Sequence, residues 1–132
     1  MSQPDTADKI RYDAIVTHVG EMVPGFVEQG IVILFGDQAP PELHEISVLH
    51  RPTVTVGGLT AGDVIEIGGE RFPVLAVGHV ADQNLVNLGH IDLKFNGEDT
   101  PQLPGDVCLP RATPPVPSPG SAFRVIAGPT SA

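Results

Sequence analysis

The fold class is indicated most clearly by residues 63–78, which read Asp63-Val64-Ile65-Glu66-Ile67-Gly68-Gly69-Glu70-Arg71-Phe72-Pro73-Val74-Leu75-Ala76-Val77-Gly78. Two short runs rich in β-branched residues flank Gly68-Gly69, and paired glycines supply the positive φ angles that a two-residue hairpin turn needs. Pro73 has no N–H to donate to a neighbouring strand, so its position must face a sheet edge or a bulge. The stretch therefore predicts a β-hairpin close to the edge of a sheet.

Short strands are also predicted outward from this hairpin, separated by glycine- and proline-rich turns. The predicted strands are Ile10 to Val19, residues 31–36, Ile91 to Phe95, Val107 to Leu109 and Phe123 to Ile126, and residues 84–88 favour a short helix ending at Gly89. A helical turn within residues 21–30 is interrupted by Pro24-Gly25. Many short strands with at most two small helices predict an all-β sandwich or barrel.

Length and charge narrow the classes of function. The chain has 132 residues, which predicts one domain over residues 9–132 behind a disordered polar tail, residues 1–8. The formal charge of -9, with no run of basic residues, argues against nucleic-acid binding. No apolar stretch approaches the ~18 residues of a membrane helix, so direct membrane insertion is not expected.

The cysteine content and the N-terminus predict a cytoplasmic protein. Cys108 is the only cysteine, so an intrachain disulfide is impossible and a reducing compartment is expected. Residues 1–9 lack the basic and then apolar pattern of a signal peptide. Cys108 lies between Val107 and Leu109, where a buried and unreactive thiol is the expected state.

Two histidines, each closing a largely apolar stretch, are the strongest candidates for chemistry. His50 ends the segment 39–50, and His90 ends the segment 77–90. A neutral imidazole is a good nucleophile near neutral pH, because its ordinary pKa leaves one nitrogen unprotonated. The residues alone do not distinguish a catalytic His50 from an ordinary histidine at the end of a strand.

These two segments, together with Phe95-Asn96-Gly97, resemble the glucitol/sorbitol-specific enzyme IIA of the bacterial phosphotransferase system in order and spacing. The resemblance covers about residues 10 to 126. It implies a small, closed, mainly antiparallel barrel of six strands with one or two short helices. It also implies a phosphoryl carrier that needs no cofactor and no metal ion.

The resemblance assigns roles to three residues. His50 matches the histidine that the family phosphorylates, so it would accept a phosphoryl group from the phosphocarrier protein. It would then pass the group to enzyme IIB of the membrane transporter, enzyme IIB/IIC. His90 matches a second recurring histidine and would stabilise the phosphate or orient His50, against a purely structural role. Arg51 is the adjacent cation and would contact the phosphoryl group or a partner's carboxylate, against the alternative of an ordinary exposed arginine.

Two other classes of function stay open. The first is a metal-binding β-barrel protein that uses His50, His90 and either His44 or His79, although the sequence lacks the usual spacing of metal ligands. The second is a non-catalytic regulatory module on the same fold. His18, His44 and His79 are otherwise expected to be structural, surface and loop residues. A homodimer is possible, and it would use a face of the barrel because a closed barrel has no free edge.

Overall fold

The computed structural model describes residues 8–129, which form nine strands, two helices and one 3-10 turn. The elements are β1 (Ile10–Val19), α1 (Val23–Glu28), β2 (Ile31–Gly36), the 3-10 turn (Pro41–Leu43), β3 (Val48–Thr55), β4 (Val64–Ile67), β5 (Glu70–Pro73), β6 (Ala76–Val77), α2 (Ala81–Leu88), β7 (Ile91–Lys94), β8 (Asp106–Cys108) and β9 (Ala122–Ile126). Neither helix is long and apolar enough within these residues to span a membrane.

The strands form one curled sheet in the order β5-β4-β9-β1-β3-β2-β7-β8-β6. All neighbouring strands are antiparallel except β2 with β3 and β7 with β8, which are parallel. The two edge strands, β5 and β6, follow one another in the chain and are joined by Val74 and Leu75. The Val74 N–H donates to Asp63 and the Leu75 N–H donates to Cys108, so this connection links the two ends of the sheet.

This architecture confirms the all-β prediction and corrects its details. The sheet has nine strands within residues 8–129 rather than six, and it is a curled mixed sheet whose edges, β5 and β6, are not paired as a closed barrel requires. A strand as short as β6 carries too few residues for a period-two signal. Local sequence patterns also do not indicate which strands become neighbours, so the parallel pairing of β2 with β3 could not be predicted from them. A dimer was expected to use a face because a closed barrel has no free edge. This sheet has two edge strands, so that reason does not apply.

The predicted hairpin is present, with Ile65 paired to Phe72 and Ile67 paired to Glu70 around two positive-φ glycines. Pro73 lies on the edge strand β5, in agreement with its missing N–H donor. Pro24 does not interrupt the first helix, because it occupies the first turn of α1, where its missing N–H has no partner in any case.

The core is built by the inward-facing residues of the sheet. On β1, Tyr12, Ala14 and Val16 alternate inward and are almost completely buried, and Phe123 of β9 packs beside them. The second helix begins at Ala81, within the segment 81–83 that the sequence offers as its start, and ends as expected at Gly89 with a φ of 65°. The resulting turn brings Gly89 against the end of β2, where the candidate site lies.

The predicted tail of residues 1–8 lies outside the described residues except for Asp8, whose carboxylate is 2.8 Å from the Arg71 guanidinium. The described residues of the predicted domain 9–132 form a single sheet. The boundary between tail and domain stays a prediction.

Candidate functional site

His50 lies on β3, between β1 on one side and β2 on the other. Its backbone is paired with Val16 in the antiparallel ladder and with Gly36 in the parallel ladder. The side chain points inward with Val16 and has no exposed surface. The neighbouring position on β2 is Gly36, so no side chain stands beside His50 at that position.

The His50 ring has one polar partner within residues 8–129. Its Nε2 atom lies 2.8 Å from the hydroxyl of Tyr12, and the two rings meet edge to face with centroids 5.6 Å apart. The Phe123 ring packs against the imidazole from another side, with the ring centroids 5.2 Å apart. The Nδ1 atom is buried and has no hydrogen-bond partner among the described residues. The imidazole is therefore held by aromatic packing and one hydrogen bond.

Burial keeps His50 uncharged at neutral pH. Desolvation lowers the pKa of His50 from 6.5 to about 4, and this outweighs the opposing effect of the nearby Asp37 carboxylate. Burial likewise raises the pKa of Tyr12 to about 12, with a smaller contribution from Asp37. At neutral pH the pair is thus a neutral imidazole facing a protonated phenol, and one ring nitrogen has a free electron pair.

A pocket of about 450 Å³ opens directly beside this pair. Its lining includes Tyr12, Gly36 and Gly89, together with Leu88, Pro52 and Leu43. A methyl group at the Cβ position of Gly89 would lie 2.9 Å from His50 Nε2, so both Tyr12 and Gly89 border that nitrogen. Two lining residues, Tyr12 and Gly89, therefore lie next to the Nε2 atom, and His50 itself lies behind them rather than in the lining.

Asp37 and Arg51 form an ion pair at the mouth of the pocket. The Arg51 Nε and Nη2 atoms each lie 3.2 Å from Asp37 Oδ2, and the arginine side chain is 70% exposed. The Asp37 N–H donates to the His50 carbonyl at 2.8 Å, which places the Asp37 backbone directly beside β3. Arg51 therefore compensates a carboxylate beside the site while much of its guanidinium faces solvent.

His90 is close to the site in sequence but makes other contacts. Its ring stacks on Phe35 with centroids 4.0 Å apart, and its Nδ1 atom lies 3.1 Å from the Leu34 carbonyl. Its Nε2 atom is 3.6 Å from Asp92. Within residues 8–129 no hydrogen bond or ring contact joins His90 to His50, and the partner of the His50 Nε2 atom is Tyr12. Phe35, on which His90 stacks, lines the pocket, so His90 supports the pocket through Phe35.

The remaining histidines and the cysteine lie elsewhere. His79 and His18 are exposed, while His44 is half-buried with its Nε2 atom 2.8 Å from the Ala39 carbonyl. Cys108 is buried, and burial is the main reason that its pKa is raised. Residues 8–129 contain no group of three or more His, Cys, Asp or Glu residues arranged to hold a metal ion. The metal-binding alternative thus has no ligand set in this part of the chain.

Three residues that border His50 were not predicted from the sequence. Tyr12 had a usable signal, because it is the only tyrosine and occupies an inward position on β1. Asp37 and Gly89 had none, since each reaches His50 through a turn that follows a strand or a helix. From the sequence, Gly89 is expected only to end a helix.

The family model described as PTS system glucitol/sorbitol-specific IIA component matches residues 11–124. The PTS system glucitol/sorbitol-specific EIIA components of Shigella flexneri and Escherichia coli are each 33% identical over 113 residues, covering 86% of this chain and 92% of the relative. The crystal structure of a PTS system IIA component from Enterococcus faecalis aligns with a TM-score of 0.71 at 26% identity. That alignment covers 87% of this chain and 99% of the other.

Proposed function

The chain belongs to the family of PTS glucitol/sorbitol-specific IIA components, and on that premise we propose that His50 is its phosphoryl carrier. His50 accepts a phosphoryl group from the phosphocarrier protein and passes it to enzyme IIB. The membrane component, enzyme IIC, then imports and phosphorylates glucitol or a related polyol. The sugar does not meet this protein, so the identity of the polyol is decided by its partners.

One observation carries this proposal: a buried, neutral imidazole stands directly behind the wall of an open pocket. A nucleophilic histidine needs a free electron pair, and the lowered pKa of His50 provides it throughout the neutral range. Transfer from one phosphohistidine to another exchanges two similar N–P bonds. The protein must therefore supply position and charge compensation rather than a large driving force.

The pocket offers groups for that compensation. The transferring group spreads its charge over three oxygens, which hydrogen-bond donors must surround. The amide side chains of Gln38 and Asn87 line the pocket and are exposed. Arg51 holds Asp37, the one carboxylate in the pocket lining, in an ion pair. Its guanidinium is exposed enough to approach phosphoryl oxygens as well.

We assign His90 the role of orienting the site rather than binding the phosphoryl group. Its ring is stacked on Phe35, and its Nδ1 atom is within hydrogen-bonding distance of the Leu34 carbonyl, so both interactions hold the end of β2. Phe35 in turn forms part of the pocket wall. Direct contact with a phosphoryl group would require the ring to leave this stack.

The relay also defines how partners approach. Phosphocarrier protein and enzyme IIB must each bring a reacting side chain to the same pocket mouth, so they use the same surface in turn. Two side chains at this mouth, Val86 and Leu88, are apolar and exposed.

The cytoplasmic location expected from the single cysteine is part of this proposal.

The test is intact-mass analysis after incubation with phosphoenolpyruvate, enzyme I and the phosphocarrier protein, before and after acid treatment. One acid-labile phosphoryl group is expected on the unmodified chain and none on His50→Gln. His44→Gln serves as the matched control, because His44 is a half-buried histidine outside the site. Full labelling of a folded His50→Gln protein would refute the assignment of His50.

The two alternatives give different results in the same set of measurements. A regulatory module would accept the phosphoryl group but fail to pass it to enzyme IIB. A metal-binding protein would hold one zinc ion per chain in equilibrium dialysis and release it in His50→Gln. The proposed relay requires both phosphoryl uptake and onward transfer, without bound zinc.

A further inference from the structure

We infer that the Tyr12 hydroxyl holds His50 as the tautomer protonated on Nδ1, and that Nε2 is the atom that accepts the phosphoryl group. This inference rests on the proposed relay and adds to it the reacting atom and a second residue that acts on it. It starts from the 2.8 Å contact between the Tyr12 hydroxyl and His50 Nε2.

The choice of tautomer follows from counting the buried polar groups that each arrangement satisfies. If Nε2 carries no proton, the phenol O–H donates to it, and only the Nδ1–H is left without a partner among the described residues. If Nε2 carries the proton, it donates to the phenol oxygen. The phenol O–H and the Nδ1 electron pair are then both left over. A buried unsatisfied group costs free energy, so the first arrangement is more stable.

The surroundings of Tyr12 make this donation dependable. Its side chain is 1% exposed, packed by the rings of His50 and Phe123, so the hydroxyl has little access to competing water. Its raised pKa keeps the phenol protonated well above neutral pH. Tyr12 therefore remains a hydrogen-bond donor over the whole range in which His50 is neutral.

The same geometry distinguishes the two ring nitrogens as nucleophiles. Tyr12 and Gly89, which border Nε2, both line the pocket. Nδ1 is buried, and its electron pair is used by the proton in this tautomer. Nε2 is thus the ring nitrogen that has an unprotonated electron pair, which the Tyr12 hydroxyl can yield, and neighbours that line the pocket.

The transfer step needs no proton to move between proteins. The electron pair of Nε2 forms the new N–P bond, while the N–P bond of the donor breaks and its electron pair returns to the donor nitrogen. The Nδ1 proton stays on His50, where the resulting positive ring charge is balanced by the attached phosphoryl dianion. The Tyr12 hydroxyl gives up Nε2 as phosphorus approaches, and then donates to a phosphoryl oxygen.

The first experiment reads the tautomer directly, from imidazole nitrogen chemical shifts of the unphosphorylated protein at neutral pH. We expect a protonated Nδ1 and an unprotonated Nε2 in the unmodified chain, and a mixture of both tautomers in Tyr12→Phe. Phe123→Leu is the control, because it removes a ring that packs on His50 and leaves the hydroxyl in place. A proton on Nε2, or an unchanged tautomer in Tyr12→Phe, would overturn the role of Tyr12.

The second experiment identifies the phosphorylated nitrogen by the same shifts after labelling, and compares rates. The phosphoryl group is expected on Nε2, and Tyr12→Phe should lower the maximal rate of uptake about tenfold with little change in the KM for the donor. Phosphorylation on Nδ1 would refute the inference while leaving the relay intact. Absence of any labelling would refute the relay and the Nε2 assignment, whereas the tautomer measurement would still decide what Tyr12 does.

Discussion

Gly89 approaches His50 so closely that a methyl group on its Cα would lie 2.9 Å from the Nε2 atom. The same residue ends α2 with a φ of 65°, a backbone conformation that side chains disfavour. Helix termination and access to the imidazole therefore depend on one glycine.

Gly89→Ala is predicted to impair phosphoryl uptake beyond its effect on stability. The new methyl group would crowd the Nε2 atom, and misplacement of a nucleophile by a fraction of an ångström slows transfer by about ten- to a hundredfold. Gly69→Ala is the matched control, because Gly69 has a φ of 81° and open space around its Cβ position. Gly69→Ala should lose about 1 kcal/mol in denaturant unfolding, and Gly89→Ala should lose more, because its methyl group would also lie 2.6 Å from the Gly36 backbone nitrogen. Uptake is therefore compared on folded protein at a temperature where both variants are native. Equal uptake by the two variants would show that Gly89 matters only to the backbone.

The neutral state of His50 predicts a pH dependence of stability. The folded pKa is about 4 against an ordinary 6.5, so between these values the unfolded chain binds a proton that the folded chain does not. The free energy of unfolding therefore has its full value, as far as His50 is concerned, above pH 6.5. It falls by a total on the order of 3 kcal/mol as the pH drops toward 4. Denaturant unfolding of the unmodified chain and of His50→Gln at several pH values isolates this effect. Parallel curves for the two proteins would contradict it.

The ion pair at the pocket mouth predicts a charge-compensation effect. Arg51→Gln leaves the Asp37 carboxylate uncompensated beside an incoming dianion, so phosphoryl uptake should slow by about two- to fivefold, a small effect because the Arg51 side chain is 70% exposed. Adding Asp37→Asn should restore the rate, because the repelling charge is then gone. Single-turnover kinetics at low and high salt measures the uptake rates of the three proteins. A double variant as slow as Arg51→Gln would instead indicate that Arg51 itself contacts the phosphoryl group.

The apolar rim predicts where partners bind. Leu88 lines the pocket and is 59% exposed, so Leu88→Asp should raise the KM for the phosphocarrier protein about tenfold without altering the fold. Leu103→Asp is the control, because Leu103 is 56% exposed and borders a different depression beside His79. Steady-state uptake at varied donor concentration measures both. An equal effect of the two substitutions would point to general charge repulsion rather than to a contact at Leu88.

The orienting role of His90 predicts that ring stacking matters more than its nitrogens. His90→Phe keeps a ring against Phe35 and should retain most of the uptake rate, whereas His90→Ala removes the stack and should lower the rate several-fold, about 1 kcal/mol. Rate measurements under saturating donor compare the two. An equally severe loss in His90→Phe would favour a direct contact between His90 and the phosphoryl group.

The limits of sequence-based prediction are visible in His50 and its neighbours. The resemblance predicts His50 as the reactive residue, and local patterns predict the hairpin around Gly68-Gly69 and the end of α2, both of which the structure contains. Tyr12 is 38 residues from His50 and Gly89 is further away, so their contacts arise only when β1, β3 and the α2 turn are assembled. No local pattern encodes such distances.

The sequence by itself determined local and compositional features: short strands with glycine and proline turns, at most two small helices, and the family that the chain resembles. The tertiary structure decided how these elements assemble. It pairs β2 with β3 in parallel, leaves the nine-stranded sheet with two edges, and buries His50 next to a phenol. The physical reason is that strand propensity and turn chemistry act over a few residues, whereas desolvation and hydrogen-bond partners depend on which strands become neighbours.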